Sequence, residues 1–151
     1  MKVIGVTGSI GTGKSTFVKL ISSKYSIPII DADEIVKAAH KRKDVIKNIK
    51  LCFGEDFYDK DDNLDKKKIA QIVFTDEEKR KILNNILHPI VKDEYKNKVY
   101  SADKNAPFII YDCPLLIEEN LTNDVDLSIL IYATEDTQLE RVTSRDNISI
   151  D

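Results

Sequence analysis

Gly8, Gly13, Lys14 and Ser15 stand at the fixed positions of G-x-x-x-x-G-K-[ST], within the run Gly8-Ser9-Ile10-Gly11-Thr12-Gly13-Lys14-Ser15-Thr16. Residues of these types at this spacing suit one task, holding a polyphosphate. Glycine lacks a Cβ, so the backbone can turn its N–H groups inward around an anion. Lys14 carries a compact positive charge to the outer phosphates, and the Ser15 hydroxyl is a ligand for Mg²⁺. A plain glycine-rich turn needs neither Lys14 nor Ser15. Two acidic places complete the set. Asp31-Ala32-Asp33-Glu34 follows one short apolar run, and Asp112 closes another. An acid at the end of a strand beside a phosphate loop faces Mg²⁺ directly or through water. The aspartates at 31 and 33 are also the residue type that caps a helix, so both uses stay open.

These residues need particular elements to position them. Lys2-Val3-Ile4-Gly5-Val6-Thr7 reads as a short buried strand running straight into the glycines. Phe17, Val18, Leu20 and Ile21 then recur at helical spacing. Strand, loop and helix is the context the motif requires, and the helix N-terminus adds its own positive end. Ile27 to Asp31 reads as a second strand, with Pro28 near its start, where a missing N–H is tolerated. Acids at 31 and 33 then sit beyond a strand's carboxyl end, where open α/β sheets bind ligands. Pro107 to Asp112 and Val125 to Tyr132 read as a third and a fourth strand, followed by a polar helix over about 135–146.

The middle of the chain is different. From Ile35 to Tyr100 the apolar residues keep helical spacing, with a break near Lys43-Asp44 and a polar loop from Gly54 to Asn63. Asp65 is placed to cap one helix, and Thr75-Asp76-Glu77-Glu78 has capping-box spacing for the next. Pro89 is expected to end or kink that helix near His88. The expected fold is therefore α/β. Residues 1–33 and 104–151 form a parallel-sheet core with the start of a lid, and 34–103 form a helical insertion.

Composition agrees with a globular chain. Of 151 residues, 42% are hydrophobic and 32% charged, which excludes a disordered class. A net charge of −3 does not suggest a nucleic-acid surface. No apolar run approaches the ~18 residues a membrane helix needs. Cys52 and Cys113 are far apart and form no C-x-x-C pair, so reduced thiols in a cytoplasmic setting are expected. The first residues enter a core strand and leave no room for a signal peptide.

The sequence closely resembles the dephospho-coenzyme A kinases. The likeness is carried by Val6 to Thr16, by Asp31-Ala32-Asp33, by Ile86-Leu87-His88-Pro89, by Asp112-Cys113-Pro114-Leu115-Leu116-Ile117-Glu118, and by the helix with Arg141 and Arg145-Asp146. It implies a phosphate-loop kinase with a helical substrate domain and a lid. It implies ATP and Mg²⁺ as cofactors, dephospho-coenzyme A as the small-molecule partner, and transfer to the ribose 3′-hydroxyl. On this likeness Gly8, Gly11, Thr12, Gly13, Lys14, Ser15 and Thr16 cradle the triphosphate, with Arg145 nearby, and Ser15 and Asp112 serve the metal. Asp33 accepts or orients the proton of the attacking hydroxyl, with Lys14 and Arg141 acting on phosphate charge. His88 and Leu115 join Asp33 in meeting the substrate. Lys37 stands where the family usually has arginine, and it keeps the charge without the bidentate fork. The family's chain also continues for about a quarter of its usual length past the lid helix. The rest of the lid and the last core strand are therefore expected to be missing here. Two other readings stay open: a nucleoside or nucleotide kinase on the same core, and a nucleotide-binding module without turnover of its own.

Overall fold

The computed structural model describes residues 1–146, and the side chain of Asp146 is left aside. Residues 147–151, which the sequence reading assigns to the core, lie outside the described residues. The strands are β1 (Lys2–Thr7), β2 (Ile29–Asp31), β3 (Phe108–Asp112) and β4 (Leu127–Leu130). The helices are α1 (Lys14–Tyr25), α2 (Ala32–Ala39), α3 (Lys43–Phe53), α4 (Lys66–Thr75), α5 (Glu77–Ser101) and α6 (Glu135–Asp146). The chain divides into two compact units: one spans Met1–Ala32 and resumes at Lys98, and the other is Asp33–Asn97.

The first unit holds a four-stranded sheet in the order β2-β3-β1-β4. All of its pairings are parallel. The order creates a switch point. After β1 the chain crosses to β2 on one side, while β4 later joins on the other. Ligands bind at such places, outside the carboxyl ends of the strands. The register puts Val6 beside Asp112, and Asp112 beside Asp31, so three strand ends share one rim. Val6, Val18, Ile27 and Ile110 form a buried cluster that seats α1 against the sheet, with Phe17, Ile21 and Ile129 packed around it. Of two adjacent leucines after β3, Leu116 is fully buried and Leu115 is largely exposed. β4 occupies the margin of the sheet. It is shorter than the run Val125 to Tyr132 suggests, and Leu127 and Leu130 are more than half exposed.

The second unit is helical, as the apolar spacing predicts. Ala39, Val45, Ile49, Phe57, Tyr58, Ile69, Leu83 and Leu87 form its core. The expected loop from Gly54 to Asn63 is only partly polar. Glu55–Phe57 make a 3₁₀ turn, Tyr58 pairs with Leu64, and both Phe57 and Tyr58 are buried. Asp65 caps α4 as expected, accepting from the amides of Lys67 and Lys68 at 3.1 Å each. Asp65→Ala is expected to lower the chain's unfolding free energy by about 1 kcal/mol in urea denaturation, with the slope unchanged.

Two local expectations are corrected. The cap of α5 is Asp76, whose Oδ1 accepts from the Lys79 amide at 3.0 Å. Thr75 instead closes α4, its hydroxyl donating back to the Gln71 carbonyl at 3.0 Å. The capping-box frame was therefore one residue early. Of the two outcomes expected at Pro89, an end to the helix is not found, since α5 continues through it to Ser101. A proline removes one helical hydrogen bond. Here Leu83 and Leu87 before it and Tyr95 after it are all buried, and that packing holds the helix across the gap. Among the described residues, His40 Nδ1 and the Tyr58 hydroxyl are buried without a hydrogen-bond partner. Burial, reinforced by the charge of Lys66, holds the His40 imidazole below its usual range.

Candidate functional site

The phosphate loop leaves β1 at Thr7 and enters α1 at Lys14. Thr7 is buried, and its hydroxyl donates to the Pro114 carbonyl at 2.8 Å. The Cys113 amide donates to the Val6 carbonyl at 3.0 Å. These two bonds tie the end of β1 to the segment that follows Asp112. Inside the loop, the Thr12 hydroxyl donates to the Ser9 carbonyl at 2.8 Å. Gly11 and Gly13 take φ of +76° and +93°, values that side chains rarely tolerate. Gly13 is the N-cap of α1 and brings no side-chain cap, so the first amides of the helix lack one. Ser15 and Thr16 are exposed there.

Lys14 reaches back across the rim. Its Nζ forms an ion pair with Asp112 Oδ1, and each side chain is only 12% exposed. The loop cation and the strand-end acid, which lie 98 residues apart in sequence, thus meet at the switch point. A pocket of about 480 Å³ is lined by Thr12, Gly13, Thr16, Phe17 and Arg141. Arg141 comes from α6, and its Nη1 donates to the carbonyls of Gly11 and Thr12 at 3.2 and 3.1 Å. These features fit a polyphosphate. The amides at the helix start, the Lys14 ammonium at the end of the loop and the Arg141 guanidinium against its carbonyls are the donors such an anion needs.

The structure brings together Gly8, Gly11, Thr12, Gly13, Lys14, Ser15, Thr16, Asp112 and Arg141, all in the sheet unit. Arg145 is exposed one turn farther along α6. Asp31 ends β2 on the same rim as Asp112. Leu115 is exposed just beyond β3. Asp33 and His88 belong to the helical unit. Asp33 is exposed in the first turn of α2, two residues after β2 ends, and His88 is exposed on α5 before Pro89. Lys37 is exposed in the last turn of α2. Sequence reasoning gave no site role to Thr7, Gln138 or Val142. The first shows only as the last residue of a strand. The other two stand on a helix whose apolar content is too small to mark a buried face.

The comparisons with known proteins follow this geometry. The dephospho-CoA kinase family model matches residues 2–151. A dephospho-CoA kinase of Oceanobacillus iheyensis is 40% identical over 152 residues, covering 97% of this chain and 74% of that protein. One from Listeria innocua is also 40% identical, over 98% of this chain and 74% of its own length. Among solved structures, a Thermus thermophilus protein superposes with a TM-score of 0.85 at 30% identity, covering 98% of this chain and 74% of that one. The dephospho-CoA kinase from Campylobacter jejuni gives 0.68 at 30% identity, over 99% of this chain and 75% of its own. With the loop, its acid and its arginine in the places described, and with a match running nearly end to end, this chain belongs to the dephospho-CoA kinase family.

Proposed function

We propose that the chain transfers the γ-phosphoryl group of ATP to the 3′-hydroxyl of dephospho-coenzyme A, giving coenzyme A and ADP. The observation that carries this reading is the ion pair that joins Lys14 of the phosphate loop to Asp112 at the end of β3. The family match over residues 2–151 supplies the acceptor.

In phosphoryl transfer the protein mainly positions groups and stabilises charge. The loop from Gly8 to Thr16 holds the triphosphate, and Lys14 exchanges Asp112 for the outer phosphates. Arg141, with Arg145 one turn on, brings positive charge to the nucleotide. Mg²⁺, when bound, neutralises charge that develops on the phosphates. Among the described residues no cluster of three His, Cys, Asp or Glu side chains could hold a metal ion. Mg²⁺ is held by one or two protein ligands together with phosphate oxygens and water. Ser15 and Asp112 are those ligands. The acceptor's 3′-oxygen attacks the γ-phosphorus, the bond to the β–γ bridging oxygen breaks, and ADP leaves. Asp33 accepts a hydrogen bond from the attacking hydroxyl and takes its proton as the new bond forms. His88 and Leu115 are the contacts proposed for the rest of the acceptor. Among the described residues no helix is long and apolar enough to cross a membrane. The setting proposed for this activity is the cytoplasm.

The test compares acceptors in the presence of ATP and Mg²⁺. Dephospho-coenzyme A should be phosphorylated at the 3′ position, and nucleoside monophosphates should not. Preference for a monophosphate would replace this reading with a nucleotide kinase. ATP binding without transfer to any acceptor would leave a nucleotide-binding module.

A further inference from the structure

We infer that the segment leading from β4 into α6 is a brace that shapes the phosphate loop before nucleotide arrives, with Gly11 and Arg141 as its positioning residues. The inference rests on the reading that ATP binds this loop. It concerns contacts the phosphate motif does not require, since position 11 is one of its variable places.

The brace grips the loop at two points. The first is Gly8, where a Cβ would lie 2.5 Å from the Ile131 carbonyl oxygen. The Ile131 amide in turn donates to the Thr7 carbonyl at 2.8 Å, so the strand exit is fastened directly beneath the loop. The second is Gly11, where a Cβ would lie 2.7 Å from the Gln138 carbonyl oxygen, 3.0 Å from its Cα and 3.1 Å from Val142 Cγ2. Backbone is in the way at both points, and backbone cannot swing aside as a long side chain can.

The helix is itself held in register. The Gln138 side-chain Nε2 donates to the Ala133 carbonyl at 2.7 Å, and its amide donates to the Thr134 carbonyl at 2.9 Å. From that fixed position Arg141 donates to two successive loop carbonyls. In a trans peptide the carbonyl and the next residue's N–H point opposite ways. Holding the Gly11 and Thr12 carbonyls therefore fixes the two peptide units that carry the Thr12 and Gly13 amides. A charged donor on a carbonyl also polarises its peptide unit and strengthens the N–H on the far side. Arg141 thus acts on the nucleotide through the loop, besides any charge it presents directly.

The experiment is a double-mutant cycle on ATP binding, read by calorimetry as both affinity and number of sites, with wild type, Gly11→Ala, Arg141→Ala and the pair. Each single change should weaken ATP binding roughly tenfold, and the pair should be little weaker than either alone. Site number should stay at about one, whereas a merely misfolded fraction removes sites and leaves the affinity of the others intact. An alanine at φ +76° is strained in its own right. Val142→Phe therefore repeats the cycle by pushing α6 off Gly11 without altering the loop, and it stands in if Gly11→Ala does not fold. Losses that multiply, or an unchanged affinity in both Gly11→Ala and Val142→Phe, overturn the brace while leaving the site reading intact. A wild-type chain that binds no ATP overturns both.

Discussion

Lys14→Ala should weaken ATP binding on the order of a hundredfold or more, the loss expected when one partner of a desolvated charge pair is removed. The same change should also destabilise the nucleotide-free protein. Asp112 keeps its buried carboxylate but loses the ammonium that compensates it. An orphaned acid of this kind costs roughly 2 kcal/mol or more. The two effects separate cleanly. Adding Asp112→Asn to Lys14→Met removes the stranded charge, so urea stability should recover while ATP binding stays lost. Recovery of both would mean that the lysine matters only as Asp112's partner. Loss of binding with wild-type stability throughout would mean that the ion pair is not what holds the loop at rest.

Asp33→Asn should have the opposite profile, with ATP binding intact and turnover lowered by roughly 10² to 10⁴, the usual range for a positioned proton acceptor. Asparagine keeps the shape and can still accept a hydrogen bond through its oxygen, but it cannot take the proton. Asp33 is exposed in the first turn of α2, where an acid also favours the helix dipole, so a small loss of stability is expected as well. A turnover defect that persists at saturating ATP and acceptor separates chemistry from binding. Unchanged turnover would remove Asp33 from the mechanism and leave it as a helix-end acid.

The parts of the molecule that could be read in the sequence are those written in local chemistry. β1, the loop and α1 are encoded within the first 25 residues by a buried apolar run, fixed glycines and a helical period. The Asp65 cap and the break between α2 and α3 were legible for the same reason. Thr75 and Asp76 show the limit. Both residue types cap helices, and only the packing of two consecutive helices decides which hydroxyl or carboxylate faces which amide. Pro89 shows another limit, because its local preference is outweighed by buried neighbours a turn to either side. Leu115 and Leu116 look alike in sequence, yet one is core and the other is surface. The pairing of Lys14 with Asp112 was legible as two roles but not as a contact. The grip of Arg141 on loop carbonyls was not legible at all. Its partners are main-chain oxygens about 130 residues away, and a carbonyl leaves no mark in the sequence.

Among the described residues β4 pairs on one flank only, with β1, and Leu127 and Leu130 are more than half exposed. Such a border is a ready template, since any extended polypeptide with alternating side chains can dock along it and continue the ladder. Two molecules of this chain meeting border to border would hide apolar surface from both at once.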